Sequence, residues 1–375
     1  PPHQALIPKD NGEFRTVYVN ENIDRIFLSI VNDLLFELCP GMIHQSCKSY
    51  QKGIGCGKVV QEISHKLKPN PYQNPNGILG FKADLSKYFD SVPIEFIDDA
   101  FDQVERKIGK SKVITVLRKY YHTDLCFDPD GNLIEHYQSL KQGCAVASFL
   151  ADVMLFHIDF ELYKYSFMNM ASMYTRYSDD ILYIGSGYEK AMGFLEKELQ
   201  KMSMKLNPKK VEYLTGDKWF KFLGFMIKGS QITLSPNRVK QFQKEISKRS
   251  IGNLNYHVGG KIALKSINRY LYKGDGTYSW ATQVLPIINV EKDIDTLNEF
   301  VMDCIRACQT GKRNIGGLGT VTNRKDCTIL RGTGKNVSAN RKNTEKEIEG
   351  YYSIRCMQKA LNICRPVYDT IVREM

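Results

Sequence analysis

Paired cysteines, membrane-length apolar runs and clustered histidines are all missing from this chain of 375 residues. Its ten cysteines, at 39, 47, 56, 126, 144, 304, 308, 327, 356 and 364, form no Cys-x-x-Cys pair. None stands at zinc-finger spacing from a histidine, which excludes a structural zinc module. Reduced thiols in a cytosolic protein are the expectation, and a cytoplasmic location with it. Cys304 and Cys308, four apart, are expected to share a helix face as core. His44, His65, His122, His136, His157 and His257 share no spacing, so no metal or acid–base role falls to them. No apolar stretch approaches the roughly 20 residues that span a bilayer. The opening Pro1-Pro2-His3-Gln4 has neither the basic nor the apolar half of a signal peptide. With no initiating Met, the numbered chain is expected to start inside a longer one.

Acid is scarce in the C-terminal part. Residues 226–375 carry 25 Lys+Arg against 13 Asp+Glu, a net +12, whereas residues 1–225 carry 27 against 28, a net −1. Segment 305–343 holds nine Lys/Arg, six glycines and Asp326 as its one acid. A basic, Gly-rich stretch suits a phosphate backbone, although a solvated surface loop has the same composition. Arg313, Arg324, Lys325, Arg331 and Lys335 are its candidate nucleic-acid contacts.

The hydrophobic content of 42% over this length supports a large core and more than one lobe. Ala5 to Lys9 and Phe14 to Val19 read as a hairpin about Asp10-Asn11-Gly12. Apolar residues at 23, 26, 27, 30, 31, 34 and 35 predict a helix from Ile23 to Leu38, stopped by Pro40-Gly41. A second helix follows Gly57-Lys58. Gly80 to Leu85 is a strand end, and Ile94 to about Tyr121 is helix-rich. The stretch Ser139 to Tyr165 continues past Gly143 as one long apolar helix. Ser172 to Ile184 is a hairpin with Asp179-Asp180 at its turn, followed by a helix from Glu189 to Met202. Leu206 to Tyr213 and Phe220 to Ile227 are strands, and the pattern from Pro236 onward is helical. This order predicts an α+β domain with a mainly antiparallel sheet.

Two acidic sites sit where strands end. One is Asp84 in Phe81-Lys82-Ala83-Asp84-Leu85, and the other is Asp179-Asp180 between Tyr177 and Ile181-Leu182. Like charges in an apolar hairpin repel and are costly to desolvate. A bound cation offsets that cost, and Mg²⁺ prefers carboxylate, water and phosphate oxygens. Asp-Asp is also what a plain turn carries, and a lone Asp before a helix is often a cap. The acids therefore gain meaning from the segments around them.

Those segments resemble the reverse transcriptases of bacteria, especially the group II intron-like and defence-associated kinds. The resemblance covers residue 5 to about 250, with motifs in family order. Ile7-Pro8-Lys9 through Arg15 is similar to the fingers hairpin, and Ser49-Tyr50-Gln51-Lys52-Gly53 to the second fingers motif. The Asp84 segment is similar to motif A, Lys141-Gln142-Gly143 through Ala151 to motif B, and Tyr177-Ser178-Asp179-Asp180 to motif C. Leu206-Asn207-Pro208-Lys209-Lys210 is similar to motif D, and Phe222-Leu223-Gly224-Phe225 to the primer grip. Two positions depart from the family: its Ser-Pro appears as Ala147-Ser148, and its Asn after Leu-Ala is Asp152. The retron-type Asn-Ala-x-x-His and Val-Thr-Gly elements are absent, as are a His-rich endonuclease and an RNase H-like acidic set. A stand-alone polymerase of the defence-associated kind is what remains.

The resemblance implies a right hand of α+β class. Residues 1–228 would be fingers and palm, with the palm core at about 80–92 and 139–228. Residues 229–375 would be a helical thumb and basic C-terminal region. It implies catalysis by Asp84, Asp179 and Asp180, with these and Leu85 holding two Mg²⁺ ions, Mn²⁺ being an alternative. Lys9, Arg15, Phe89, Gln142 and Lys210 would contact the dNTP: Lys9 and Arg15 its phosphates, and Phe89 as the bulk that excludes a 2′-hydroxyl. The implied partners are an RNA template, a structured non-coding RNA of antiphage defence, together with dNTPs and the DNA product. Two rivals stay open. One is untemplated or protein-primed synthesis at the same site. The other is a structural RNA-binding protein that lost catalysis. Gly53-Ile54-Gly55-Cys56-Gly57-Lys58-Val59 echoes a phosphate loop, but Val59 stands where that loop needs Ser or Thr.

Overall fold

The computed structural model describes residues 1–8, 12–67, 77–167, 172–252 and 280–310, with isolated positions between 263 and 271. The chain divides into two compact units, residues 1–59 with 66–218, and residues 60–65 with 219–375.

The first unit opens with the expected hairpin, β1 (His3–Pro8) and β2 (Phe14–Val19), paired antiparallel from His3↔Val19 to Pro8↔Phe14. Helix α1 (Asn22–Leu38) follows. It buries Leu28, Val31 and Leu35, whereas Ile23, Ile26, Phe27, Ile30, Leu34 and Leu38 stay exposed. Its apolar surface is thus wider than the face it packs. Helix α2 is Cys56–Lys66, of which residues 60–65 belong to the second unit, and β3 is Ile78–Asp84. A short α3 (Tyr88–Ser91) leads to α4 (Ile94–Ile108) and α5 (Lys112–Tyr121). Helix α5 starts on a Ser111 cap, whose hydroxyl accepts from Val113 N–H.

A hairpin that sequence periodicity had not indicated comes next, β4 (Leu125–Phe127) and β5 (Leu133–Glu135). Asp128 folds its turn by accepting from Asp130 and Asn132 N–H. Strand β4 joins β1 in parallel at His3↔Phe127, giving a sheet in the order β2-β1-β4-β5.

The long helix expected from 143 to 165 is two helices, α6 (Val146–Val153) and α7 (Phe156–Phe167), separated by a turn at Met154-Leu155. Helix α6 is buried nearly all round, which is why its sequence shows no polar face. The strands β6 (Met173–Tyr177) and β7 (Asp180–Ile184), helix α8 (Tyr188–Lys201) and strand β8 (Glu212–Thr215) complete the unit. Its central sheet is antiparallel in the order β6-β7-β3-β8. The core beneath it joins Phe81, Ala83, Leu150, Ile181 and Leu195 with Leu28 and Leu35 of α1. The expected strand from Leu206 begins only at Glu212. Leu206 makes one bridge to Leu85, and Asn207 then turns the chain by accepting from Lys210 N–H.

The second unit holds β9 (Phe220–Phe222), β10 (Phe225–Lys228) and β11 (Gln231–Leu234) in an antiparallel sheet. The single strand expected over 220–227 is therefore a hairpin. Leu223 and Gly224 both have positive φ, 47° and 80°, which suits a tight two-residue turn. Helix α9 (Pro236–Ser247) starts on a Ser235 cap with proline at its first position. It ends in a π-turn at Lys248–Gly252. Two helices, Trp280–Val284 and Glu291–Thr310, close the described part. Cys304 is buried, as expected of core.

Candidate active site

Strand β3 pairs with β7 because each carries apolar residues that must be buried. Phe81, Ala83, Ile181, Leu182 and Tyr183 are all buried, and the rings of Phe81 and Tyr183 stack at 5.6 Å. A one-residue slip would turn these side chains over, so the register is fixed. That register sets Asp84 directly opposite Asp180. One residue on, Leu85 N–H donates to the Asp179 carbonyl at 3.1 Å. Acids 95 residues apart in sequence thus meet at one sheet end. The connecting turn is Ser178-Asp179, and Ser178 has φ 59°, a region that favours glycine.

The electrostatics follow from this crowding. Burial raises the Asp179 pKa, and Asp84 raises it further, while Lys210 and Arg15 work the other way. Asp180 is pushed up to about 7 by burial, then by Asp179 and Asp84. Lys210 Nζ donates to Asp84 Oδ2 at 2.6 Å. Burial opposes the Lys210 ammonium, but the hydrogen bond and charge of Asp84, with Asp179 and Asp180, outweigh it and raise its pKa. Lys210 arrives through the Asn207 turn, where Asn207 N–H donates to the Asp84 carbonyl at 2.8 Å.

Among the described residues, no three side chains of metal-ligating type close around a common point. The acids stand side by side, and the ammonium of Lys210 occupies one of them. The donor set still fits a hard divalent cation, since it is built of carboxylates. The burial and, after it, the mutual repulsion that lift Asp179 and Asp180 are the cost such an ion would relieve.

The other sequence candidates lie as follows. Arg15, on β2, is within electrostatic reach of Asp179. Leu85 is buried beside the acids. Phe89 is half-buried, edge-on to Tyr88 at 5.6 Å, and its carbonyl accepts from Leu140 N–H at 3.2 Å. The Gln142 carbonyl accepts from Tyr18 N–H at 2.7 Å. Around it the loop is strained, with positive φ at Ser139, Lys141 and Gly143. A Cβ on Gly143 would come within 3.0 Å of the Tyr18 carbonyl oxygen. Lys141 is buried, donating to the Thr123 carbonyl at 2.7 Å and to Gln138 Oε1 at 3.0 Å, and burial pushes its pKa down to about 8. Lys9, Arg313, Arg324, Lys325, Arg331 and Lys335 lie outside the described residues.

Sequence reasoning missed Arg176. It is fully buried behind the acidic turn and paired with Asp159 of α7 and Asp152 of α6. The available signal was a charged residue in an otherwise uncharged strand, where its neighbours Tyr174 and Thr175 are buried. Asp152 stood out as a departure, but nothing in the sequence names its partner.

The family described as reverse transcriptase (RNA-dependent DNA polymerase) matches residues 7–227. No curated protein matches the sequence significantly. In fold, the chain is similar to a telomerase from Candida albicans in complex with a fragment of telomeric RNA, at TM-score 0.50 and 12% identity. That match covers 92% of this chain and 64% of the telomerase. A truncated apo telomerase from Candida tropicalis matches at TM-score 0.45 and 15% identity, over 62% of this chain and 55% of its own. An RNA-dependent RNA polymerase of a human picobirnavirus matches at TM-score 0.49 and 10% identity, over 96% and 64%. This chain spans less than two thirds of the length of each of these structures.

Proposed function

Because the chain belongs to the reverse transcriptase family, whose pattern covers more than half of it, we propose that it is an RNA-directed DNA polymerase working through Asp84, Asp179 and Asp180. One observation carries this reading. The register of β3 on β7 sets Asp84 opposite Asp180, with Asp179 hydrogen-bonded through its carbonyl to Leu85 N–H.

The three carboxylates, with Leu85 beside them, are the residues that would hold two divalent cations, Mg²⁺ by donor chemistry and Mn²⁺ as a substitute. Such ions, when bound, make a primer 3′-hydroxyl a better nucleophile and neutralise the departing pyrophosphate. The protein side chains bind and orient. Arg15, already within the field of Asp179, and Lys9, by the family resemblance, would grip the β- and γ-phosphates through charge-assisted bonds. Lys210 keeps its proton near the acids and is placed to give it, or its charge, to the leaving group. Phe89 would press on the sugar where a ribose carries its 2′-hydroxyl. Gln142 would contact the nucleotide from the strained loop.

The division of labour is that of a right hand, with fingers and palm within 1–228 and a thumb beyond. The basic segment that includes Arg313, Arg324, Lys325, Arg331 and Lys335 would hold template–primer phosphates. The template would be a structured non-coding RNA and the setting bacterial antiphage defence in the cytoplasm. The motif set supports this reading through its likeness to the intron-like and defence-associated enzymes and its departure from the retron elements. Primer extension on defined RNA templates, leaving out one dNTP at a time, tests the activity. Templated copying requires arrest at the omitted base. Product whose composition ignores the template would instead mean untemplated or protein-primed synthesis. A loss-free Asp179→Asn variant would mean a structural RNA-binding role.

A further inference from the structure

Arg176 is entirely buried, and all three of its guanidinium nitrogens donate hydrogen bonds. Nε donates to Asp159 Oδ1 at 2.8 Å and Nη2 to Asp159 Oδ2 at 2.7 Å, a bidentate pair. Nη2 also reaches the Asp152 carbonyl at 3.0 Å, and Nη1 lies 3.5 Å from Asp152 Oδ1. The remaining bond runs forward: Nη1 donates to the Ser178 carbonyl at 3.0 Å. Asp159 is itself fixed by Tyr174 OH at 2.8 Å, and Asp152 by Ser49 Oγ at 2.6 Å.

The backbone of Arg176 is held as well. Its N–H donates to the Ser46 carbonyl at 2.9 Å, and its carbonyl accepts from Lys48 N–H at 2.8 Å. The strand thereby joins segment 46–50, which ends at Tyr50. The Tyr50 hydroxyl meets Ser178 Oγ at 3.2 Å. Tyr50 and Ser178 are both left-handed, with φ 54° and 59°. Ser178 is therefore gripped at its carbonyl by Arg176 and at its hydroxyl by Tyr50.

Stability alone is a poor reason for this arrangement. Desolvating a guanidinium and two carboxylates costs about as much as their attraction returns, and an apolar core of the same volume does as well or better. Backbone conformations that most residues avoid persist where surroundings over-determine them, and they cluster at working sites. Ser178 immediately precedes the two acids.

We propose that Arg176 is a positioning residue, which with Asp152, Asp159 and Tyr50 sets the Ser178-Asp179-Asp180 turn in the geometry that binds divalent ions. This rests on the polymerase reading of the acids. Arg176 touches no substrate; it acts through the Ser178 carbonyl. Lysine there keeps the charge but offers three tetrahedral donors in place of a planar fork of five, so it cannot hold Asp159 and Ser178 together. Misplacement of a reacting group by about 1 Å costs on the order of a hundredfold in rate.

The test uses the full chain and two readouts, Mn²⁺ binding by electron paramagnetic resonance and templated primer extension. Arg176→Lys is expected to weaken Mn²⁺ binding by about fivefold or more and to lower kcat at least about tenfold, with KM for dNTP within about twofold. Faster amide exchange confined to 177–181 should accompany this. A folded Arg176→Lys that binds Mn²⁺ as wild type does, or one changed in KM alone, overturns the inference. If that variant does not fold, Tyr50→Phe and Ser49→Ala decide. Tyr50→Phe should weaken Mn²⁺ binding by about threefold, the share of one neutral hydrogen bond, and Ser49→Ala by at least as much, because its acceptor is the Asp152 carboxylate. Wild-type binding by both overturns it. A wild-type chain that binds Mn²⁺ but copies no template would sink the polymerase reading. The role of Arg176 would then stand or fall on the ion data.

Discussion

Lys210 and Asp84 form an ion pair of 2.6 Å across 126 residues of sequence, and the ammonium sits on a carboxylate that a cation would need. An ion entering the site must displace it. Lys210→Met should therefore tighten Mn²⁺ binding by about threefold, a modest factor because Lys210 is half open to solvent. Turnover should fall on the order of a hundredfold, since the proton proposed to serve the leaving pyrophosphate is gone. Weaker ion binding in the variant would show that Lys210 supports the cation site instead of competing for it.

Phe89 is half-buried against Tyr88, and its backbone anchors Leu140. Phe89→Ala should raise rNTP incorporation relative to dNTP on the order of tenfold or more, because the bulk proposed to exclude the 2′-hydroxyl is removed. The backbone bond to Leu140 survives this change, so the fold should hold, with a loss of up to about 2 kcal/mol from the shortened side chain. Unchanged dNTP/rNTP selectivity in single-nucleotide incorporation would refute the gate.

Lys141 gives a pH signature. Its pKa is about 8 in the folded protein against the ordinary 10.5, with burial as the main cause. Between those values the folded state binds fewer protons than the unfolded state. Stability from this group therefore rises as pH rises, by about 1 kcal/mol between pH 7 and pH 9. Urea unfolding of wild type and Lys141→Met at pH 7, 8 and 9 measures it. The stability difference between the two should change by that amount in favour of the wild type as pH rises, and a flat difference would mean the amine is not desolvated.

The basic segment is tested by salt. Replacing Arg313, Arg324, Lys325, Arg331 and Lys335 with Gln should weaken RNA binding and lower the slope of log K against log salt by up to about 4. A slope equal to that of wild type would make the segment a bystander.

Periodicity made the strands that carry the acids legible, whereas the choice of these acids as a site came from the resemblance of the surrounding motifs. Apolar alternation around Asp84 and around Asp179-Asp180 gave two strands, and the fixed register of buried strands then brought the acids together. The β1–β2 hairpin, α1 and α8 followed from similar patterns. Residues whose conformation is set by distant partners were not legible. The Leu223-Gly224 turn needs two left-handed residues in succession, and leucine does not announce that. The strand expected at Leu206 gave way to a turn, because Asn207 is tied to the Asp84 carbonyl. Arg176 reads as an ordinary strand residue until Asp152 and Asp159 are placed around it.

Gly80 lies on β3, four residues before Asp84, and a methyl group there would fall 2.0 Å from the Tyr183 carbonyl oxygen. Any side chain at this position must wedge β3 away from β7. The wedge would be felt at Asp84, at the far end of the same strand. An allele such as Gly80→Val could thus silence the enzyme while leaving every acid intact. A screen that inspects only charged positions would score it as harmless.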